Sequence, residues 1–163
     1  PPPPPPPPPF FFHPQPANRD AQESRGLGDV YKRQKLIPIK KLITMKQIRM
    51  YADASGDYNP IHIDAEFAKT SQFGRNIGHG MMVAATISEL MVKNFAEAWY
   101  KTGKMKMRFK SPVYPEDEIQ TLGMVKKSES IGAETHITCA VQILRQDGDT
   151  IISGETSVTL KNP

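Results

Sequence analysis

The sequence predicts an α+β domain in which an antiparallel sheet wraps a buried helix, and three observations carry that prediction. Residues 80 to 88, GMMVAATIS, hold no charge and run on into ELMVKNFAEAW, so one helix is apolar on almost every side. Beyond Gly103 the apolar period drops from that of a helix to that of a strand: Met105, Met107 and Phe109 alternate with Lys104, Lys106, Arg108 and Lys110. Later segments alternate in the same way between turn residues, as an antiparallel sheet requires.

Taken in order, residues 36 to 43 form a candidate edge strand, where Pro38 is tolerated. Thr44 and Gln47 stand in capping-box spacing ahead of Ile48, Tyr51, Ala52 and Ser55, an amphipathic stripe that ends at Gly56. Asp64 can cap a second short helix through about Ser71, with Glu66 near its positive end and Phe67 and Ala68 available for burial. The apolar helix starts at Gly80 and reaches about Trp99, with Ala84, Ala85 and Ser88 small enough for close approach of a sheet. Strands are expected near 117 to 127, 134 to 145 and 149 to 160, the last two joined at QDGD. Ile137, Cys139, Val141 and Ile143 share one face of the middle strand, and no internal repeat is visible.

Composition separates the first 34 residues from the rest. Eleven of the 16 prolines fall in the first 16 positions, a run that builds no core and has neither the basic start nor the apolar stretch of a secretory signal. The eleven residues SRGLGDVYKRQ, 24 to 34, match codon by codon the translation of a transposase-type sequencing adapter. Residues 1 to 34 are therefore read as non-native and 35 to 163 as the domain. The alternative for the first part is a genuine disordered Pro-rich arm.

Residues 35 to 163 hold seventeen Lys and Arg against fourteen Asp and Glu, a net charge of +3. The basic residues are dispersed and joined to no aromatic nucleic-acid motif, which suits an anionic small molecule at least as well as DNA or RNA. No apolar run approaches membrane-spanning length. The single cysteine, Cys139, excludes an intrachain disulfide or a cysteine-built zinc site and is compatible with the cytoplasm. The histidines show no metal-ligand spacing.

The densest cluster of unusual residues is YADASGDYNPIH, Tyr51 to His62. Gly56 and Asn59-Pro60 force turns on either side of Asp57, so a carboxylate and an imidazole can be aimed at one point, where they can hold a water and exchange protons. Each residue alone has a plainer use: Asp57 as a turn cap, His62 as a packed, hydrogen-bonded histidine. In IGHGMM, Gly80 opens the buried helix, where free backbone N–H groups meet developing negative charge. A glycine placed there only for packing is the plain alternative.

SGDYNPIHIDAEFA resembles the hydratase-2 motif of the MaoC-like dehydratases and (R)-specific enoyl-CoA hydratases, and HGMMVAATIS resembles the family's second signature. The likeness covers about residues 36 to 160 and includes RFKSPVYPEDEI, where PEDE replaces the family's Pro-Gly-Asp turn. The resemblance implies a single hot-dog domain, with Asp57 and His62 as the catalytic pair and Gly80 as the oxyanion-hole donor. It gives Asn59 a loop-shaping role and Ser88 a supporting one. The implied reaction is reversible hydration of a trans-2-enoyl thioester to the (R)-3-hydroxyacyl thioester. It needs no metal or cofactor, since the CoA thioester is itself the substrate.

Lys106 and Arg108 are candidates for binding CoA phosphates or an acidic carrier protein, with a solvated strand face as the alternative. The family also implies a homodimer. Competing readings are a (3R)-hydroxyacyl-carrier-protein dehydratase of fatty acid synthesis, a hot-dog thioesterase, and a non-catalytic acyl-CoA-binding module. The thioesterase is disfavoured by the intact hydratase spacing.

Overall fold

Thr44 accepts the Gln47 N–H, and the Gln47 side chain accepts the Thr44 N–H. This capping box opens α1 (Met45–Ser55) in a computed structural model that describes residues 33–162. Gly56 ends α1 in the left-handed conformation at φ 75°, which a glycine takes at no steric cost. Ile48 and Ala52 are the buried members of the stripe.

Next come α2 (Pro60–Ile63), α3 (Ala65–Thr70), α4 (Gly80–Phe95) and α5 (Glu97–Thr102). The turn expected at Asn59-Pro60 leads directly into a helix: Asn59 accepts the Ile61 N–H and Pro60 takes the first helical position, giving one helical turn that carries His62. In α3, Asp64 accepts the N–H groups of Glu66 and Phe67, as its capping role requires. Ala68 is buried while Phe67 stays exposed. The expected single helix to Trp99 is instead two, because Ala96 sits at φ 47° and breaks it. The break turns Ala98 and Trp99 back against the core.

Five strands follow the expected pattern: β1 (Ile39–Leu42), β2 (Lys104–Phe109), β3 (Glu118–Ile131), β4 (Glu134–Arg145) and β5 (Thr150–Lys161). All pairings are antiparallel, in the order β1-β3-β4-β5-β2. Only β3, β4 and β5 form a meander. β2 lies beyond β5 at the far edge, so its neighbours are not those next to it in sequence. β3 runs four residues past the expected end at 127, through a register shift between Val125 and Lys127, before Gly132 turns it at φ 60°. Arg33 N–H bonds the Val125 carbonyl and Val125 N–H bonds the Gln34 carbonyl, so the ladder reaches two residues into the segment read as non-native. Residues 1–32 of that segment lie outside the described residues.

The inner face of the sheet wraps α4. Ile87, Leu90 and Met91 have no exposed surface and join one cluster with Ile137, Cys139, Ile143 and Ile152. Met105 and Met107 of β2 pack against this cluster, which leaves Lys104, Lys106 and Arg108 on the outer face. In the PEDE turn, Glu116 stands at φ 71°, a backbone region costly for a side chain with a Cβ. The turn holds because Glu116 N–H donates to the Ile43 carbonyl and the buried Asp117 carboxylate takes the Tyr114 N–H and the Gln146 amide. No helix among the described residues is long and apolar enough to cross a membrane.

Candidate active site

The loop from Gly56 to Asn59 holds Asp57 by hydrogen bonds within its own neighbourhood. Asp57 N–H donates to Ser55 Oγ at 3.2 Å, and Asp57 Oδ1 accepts the Asn59 N–H at 3.2 Å. Asn59, whose own side chain caps α2, thus ties the carboxylate loop to the turn that carries His62. The phenol of the neighbouring Tyr58 donates to Asp53 at 3.0 Å, and that hydrogen bond, with the Asp53 charge, holds it above the ordinary tyrosine value.

A second segment, residues 76 to 80, closes over the first. Asn76 donates to the Ile61 and Asp64 carbonyls, and Ile77 N–H bonds the Ile61 carbonyl. His62 Nδ1 lies 2.9 Å from the Ile77 carbonyl. A carbonyl only accepts, so Nδ1 carries a proton and, in the neutral ring, Nε2 holds the lone pair. Nε2 faces Asp57 Oδ2 at 4.0 Å, with the His62 side chain 12% exposed and that of Asp57 52%. That separation is too long for a direct hydrogen bond and leaves room for a shared water.

His79 completes the group, although sequence reasoning passed over it. Its Nε2 lies 2.9 Å from the Asp57 carbonyl, and its ring stacks on His62 with centroids 3.9 Å apart. The signal was its place directly before Gly80; a buried histidine there has to find partners. One ligand atom from each of Asp57, His62 and His79 falls within a 4.8 Å cluster.

Gly80 opens α4 with no side-chain cap on the helix, so its first N–H groups are free of that competition. A Cβ at Gly80 would meet the Phe109 ring at 3.0 Å. A side chain at Gly80 would therefore crowd that ring, and the residue's exposed position at the helix start leaves room for a ligand to approach its N–H. Ser88 stands two turns further along α4 in a half-buried position, with no hydrogen bond tying it to Asp57 or His62. Lys106 and Arg108 line a groove of about 980 Å³ on the outer sheet face together with Leu122, Met124 and Gln142, opposite the face that covers α4. Burial pushes the Cys139 thiol up to about 11, which suits a core residue and not a nucleophile.

The MaoC like domain family matches residues 24–146. Over 86 residues the chain is 35% identical to a mitochondrial 3-hydroxyacyl-[acyl-carrier-protein] dehydratase of Arabidopsis thaliana, covering 53% of this chain and about half, 49%, of that relative's length. An (R)-specific enoyl-CoA hydratase of Aeromonas caviae is 28% identical over 125 residues, covering 75% of this chain and 90% of the relative. An R-hydratase structure from Pseudomonas aeruginosa superposes with a TM-score of 0.69 at 26% identity, covering 81% of this chain and 83% of that one. The five-stranded sheet around α4 is thus a hot-dog fold.

Proposed function

The chain belongs to the MaoC-like domain family, and from that premise we propose that it is a hydro-lyase that hydrates trans-2-enoyl-CoA reversibly to (R)-3-hydroxyacyl-CoA. The observation that carries this reading is the gap of 4.0 Å between Asp57 Oδ2 and His62 Nε2, with Nδ1 of the imidazole committed to the Ile77 carbonyl.

Water held in the gap donates one O–H to each group. As its oxygen bonds to C3 of the enoyl thioester, His62 Nε2 takes the proton and the C2=C3 electron pair moves onto the thioester oxygen. The Gly80 N–H meets that charge, supported by the positive end of α4. The imidazolium then returns its proton to C2 on the same face, which restores the neutral ring and gives syn addition. The Asp57 carboxylate orients the water and stabilises the imidazolium. Asn59 keeps the loop in place.

The chemistry needs no metal. Each ring already spends one nitrogen on a backbone carbonyl, His62 Nδ1 on Ile77 and His79 Nε2 on Asp57, and the proposed steps draw only on His62 Nε2 and the Asp57 carboxylate. The reverse reaction on a carrier-protein thioester is the second reading, supported by the Arabidopsis relative. The working unit is proposed to be a homodimer, since β2 leaves an unpaired edge beside the exposed Phe109. Sedimentation at micromolar concentration tests it, and a monomer would refute it.

Loss of absorbance of the conjugated thioester, followed with enoyl-CoA substrates of graded length and with a carrier-protein thioester, tests the reaction. Hydration of the CoA series supports the first reading and activity confined to the carrier thioester supports the second. Hydrolysis of acyl-CoA without hydration would replace both by a thioesterase.

A further inference from the structure

Resting on the hydratase reading and deepening it, we infer that His79 is a positioning residue, one buried ring that sets both the Asp57 loop and the plane of His62. Its residue surface is 1% exposed. Its Nε2 donates to the Asp57 carbonyl at 2.9 Å, one face stacks on His62 at 3.9 Å, and the Tyr51 ring lies 4.8 Å away at 52°.

One atom of this ring is left unused, as is the buried Ser128 Oγ on β3. His79 Nδ1 is buried and has no hydrogen-bond partner among the described residues. A desolvated acceptor of this kind costs stability, and a phenylalanine would carry no nitrogen to leave unpaired. Packing alone therefore does not account for an imidazole. The one thing phenylalanine cannot supply is the Nε2–H donated to Asp57.

That bond completes the support of Asp57. Ser55 takes its N–H, Asn59 N–H takes Oδ1, and His79 takes its carbonyl, which leaves Oδ2 to face His62. His62 is held from two directions in the same way. The Ile77 carbonyl fixes rotation in the plane of the ring, and the His79 face fixes the plane itself. Four consecutive residues, 77 to 80, thus supply the acceptor for His62, the anchor for Asp57 and the backbone N–H of Gly80. Gly78 N–H bonds the Val113 carbonyl at 2.7 Å and pins this stretch to the loop after β2. Separation of charge across the reaction depends on these groups keeping their relative positions, and reactions of this type lose rate steeply when the reacting groups are misplaced.

Two variants separate the donor from the stack. His79→Phe keeps an aromatic face and loses the N–H; His79→Gln places an amide nitrogen where Nε2 stood. For enoyl-CoA hydration, His79→Phe is expected to lower kcat about thirtyfold with KM changed less than about threefold, and His79→Gln to recover to within about fivefold of wild type. A His79→Phe enzyme within about twofold of wild type overturns the proposal. So does a His79→Gln enzyme that melts like wild type but is as slow as His79→Phe.

Nitrogen-15 NMR of the wild-type imidazoles provides a readout that needs no substrate and no variant. A proton on His79 Nε2 with a bare Nδ1 is expected, and a proton on Nδ1 overturns the proposal. If wild type hydrates no enoyl thioester, the hydratase reading fails, and the tautomer still decides whether His79 anchors Asp57.

Discussion

Two buried polar side chains stand at opposite ends of α4, and they are treated differently. Asn94, 8% exposed near the C-terminal end, has every group occupied: Oδ1 accepts the Ile37 N–H, and Nδ2 donates to the Ile37 and Leu90 carbonyls. It clips the segment before β1 to the helix. His79, at the N-terminal end, is buried more deeply yet keeps Nδ1 unpaired among the described residues while its Nε2 holds the exposed Asp57. A polar group buried for stability has its hydrogen bonds satisfied; one buried to hold reactive neighbours can leave an atom unsatisfied at some cost. On the proposed hydratase reading, the C-terminal end of the helix is thus built for stability and the N-terminal end for chemistry.

Perturbing the two ends should give opposite results, with the largest effect at the reactive end. Asp57→Asn and His62→Gln are each expected to lower kcat for enoyl-CoA hydration by about a hundredfold or more while the melting temperature barely changes. Because both serve one water, the double variant should be scarcely slower than the poorer single one. If both single variants kept near-normal rates, the N-terminal end would not be the reactive one.

Asn94→Ala should do the reverse. Loss of three hydrogen bonds should cost about 2 kcal/mol in urea unfolding with kcat unchanged, and a drop in kcat at full stability would erase the distinction between the ends. Gly80→Ala drives a methyl against Phe109 and should cost about tenfold in kcat/KM, with the pair Gly80→Ala, Phe109→Ala recovering part of the loss. No recovery in the pair would mean that the methyl acts on the ligand and not through Phe109.

Smaller effects sharpen the contrast away from α4. Glu116→Gly relieves the left-handed backbone at φ 71° and should raise stability by about 0.5–1 kcal/mol without touching catalysis, as thermal melts and the hydration assay would report together. Lys106→Ala and Arg108→Ala remove charge from the outer sheet face, and KM for enoyl-CoA is expected to change less than about threefold. A larger rise would make that face part of the CoA site.

Much of the molecule was legible because local rules govern it. The Thr44/Gln47 capping box, the Gly56 stop and the Asp64 cap rest on contacts between residues two to four apart, and all three stand where spacing put them. The alternating strands were legible because a half-buried strand repeats every second residue. The split of the long helix at Ala96 was not, since GMMVAATISELMVKNFAEAW holds no breaker there and the turn is stabilised by packing Trp99 on a distant cluster. Nor was the place of β2, because periodicity identifies a strand without naming its neighbours.

At the candidate site, the chain alone determined that Asp57, Asn59, His62 and Gly80 stand in a family's spacing, and that turns bracket the carboxylate. Only the tertiary structure decided the rest: that Ile77, fifteen residues on, takes Nδ1 of His62, and that His79, twenty-two residues on, takes the Asp57 carbonyl. Residue type and short spacing survive in a one-dimensional pattern, because turns and caps are closed by neighbours. Tautomer, ring plane and the gap between two reactive atoms depend on segments brought together by burial of α4 under the sheet, and no local pattern encodes which carbonyl will meet which nitrogen.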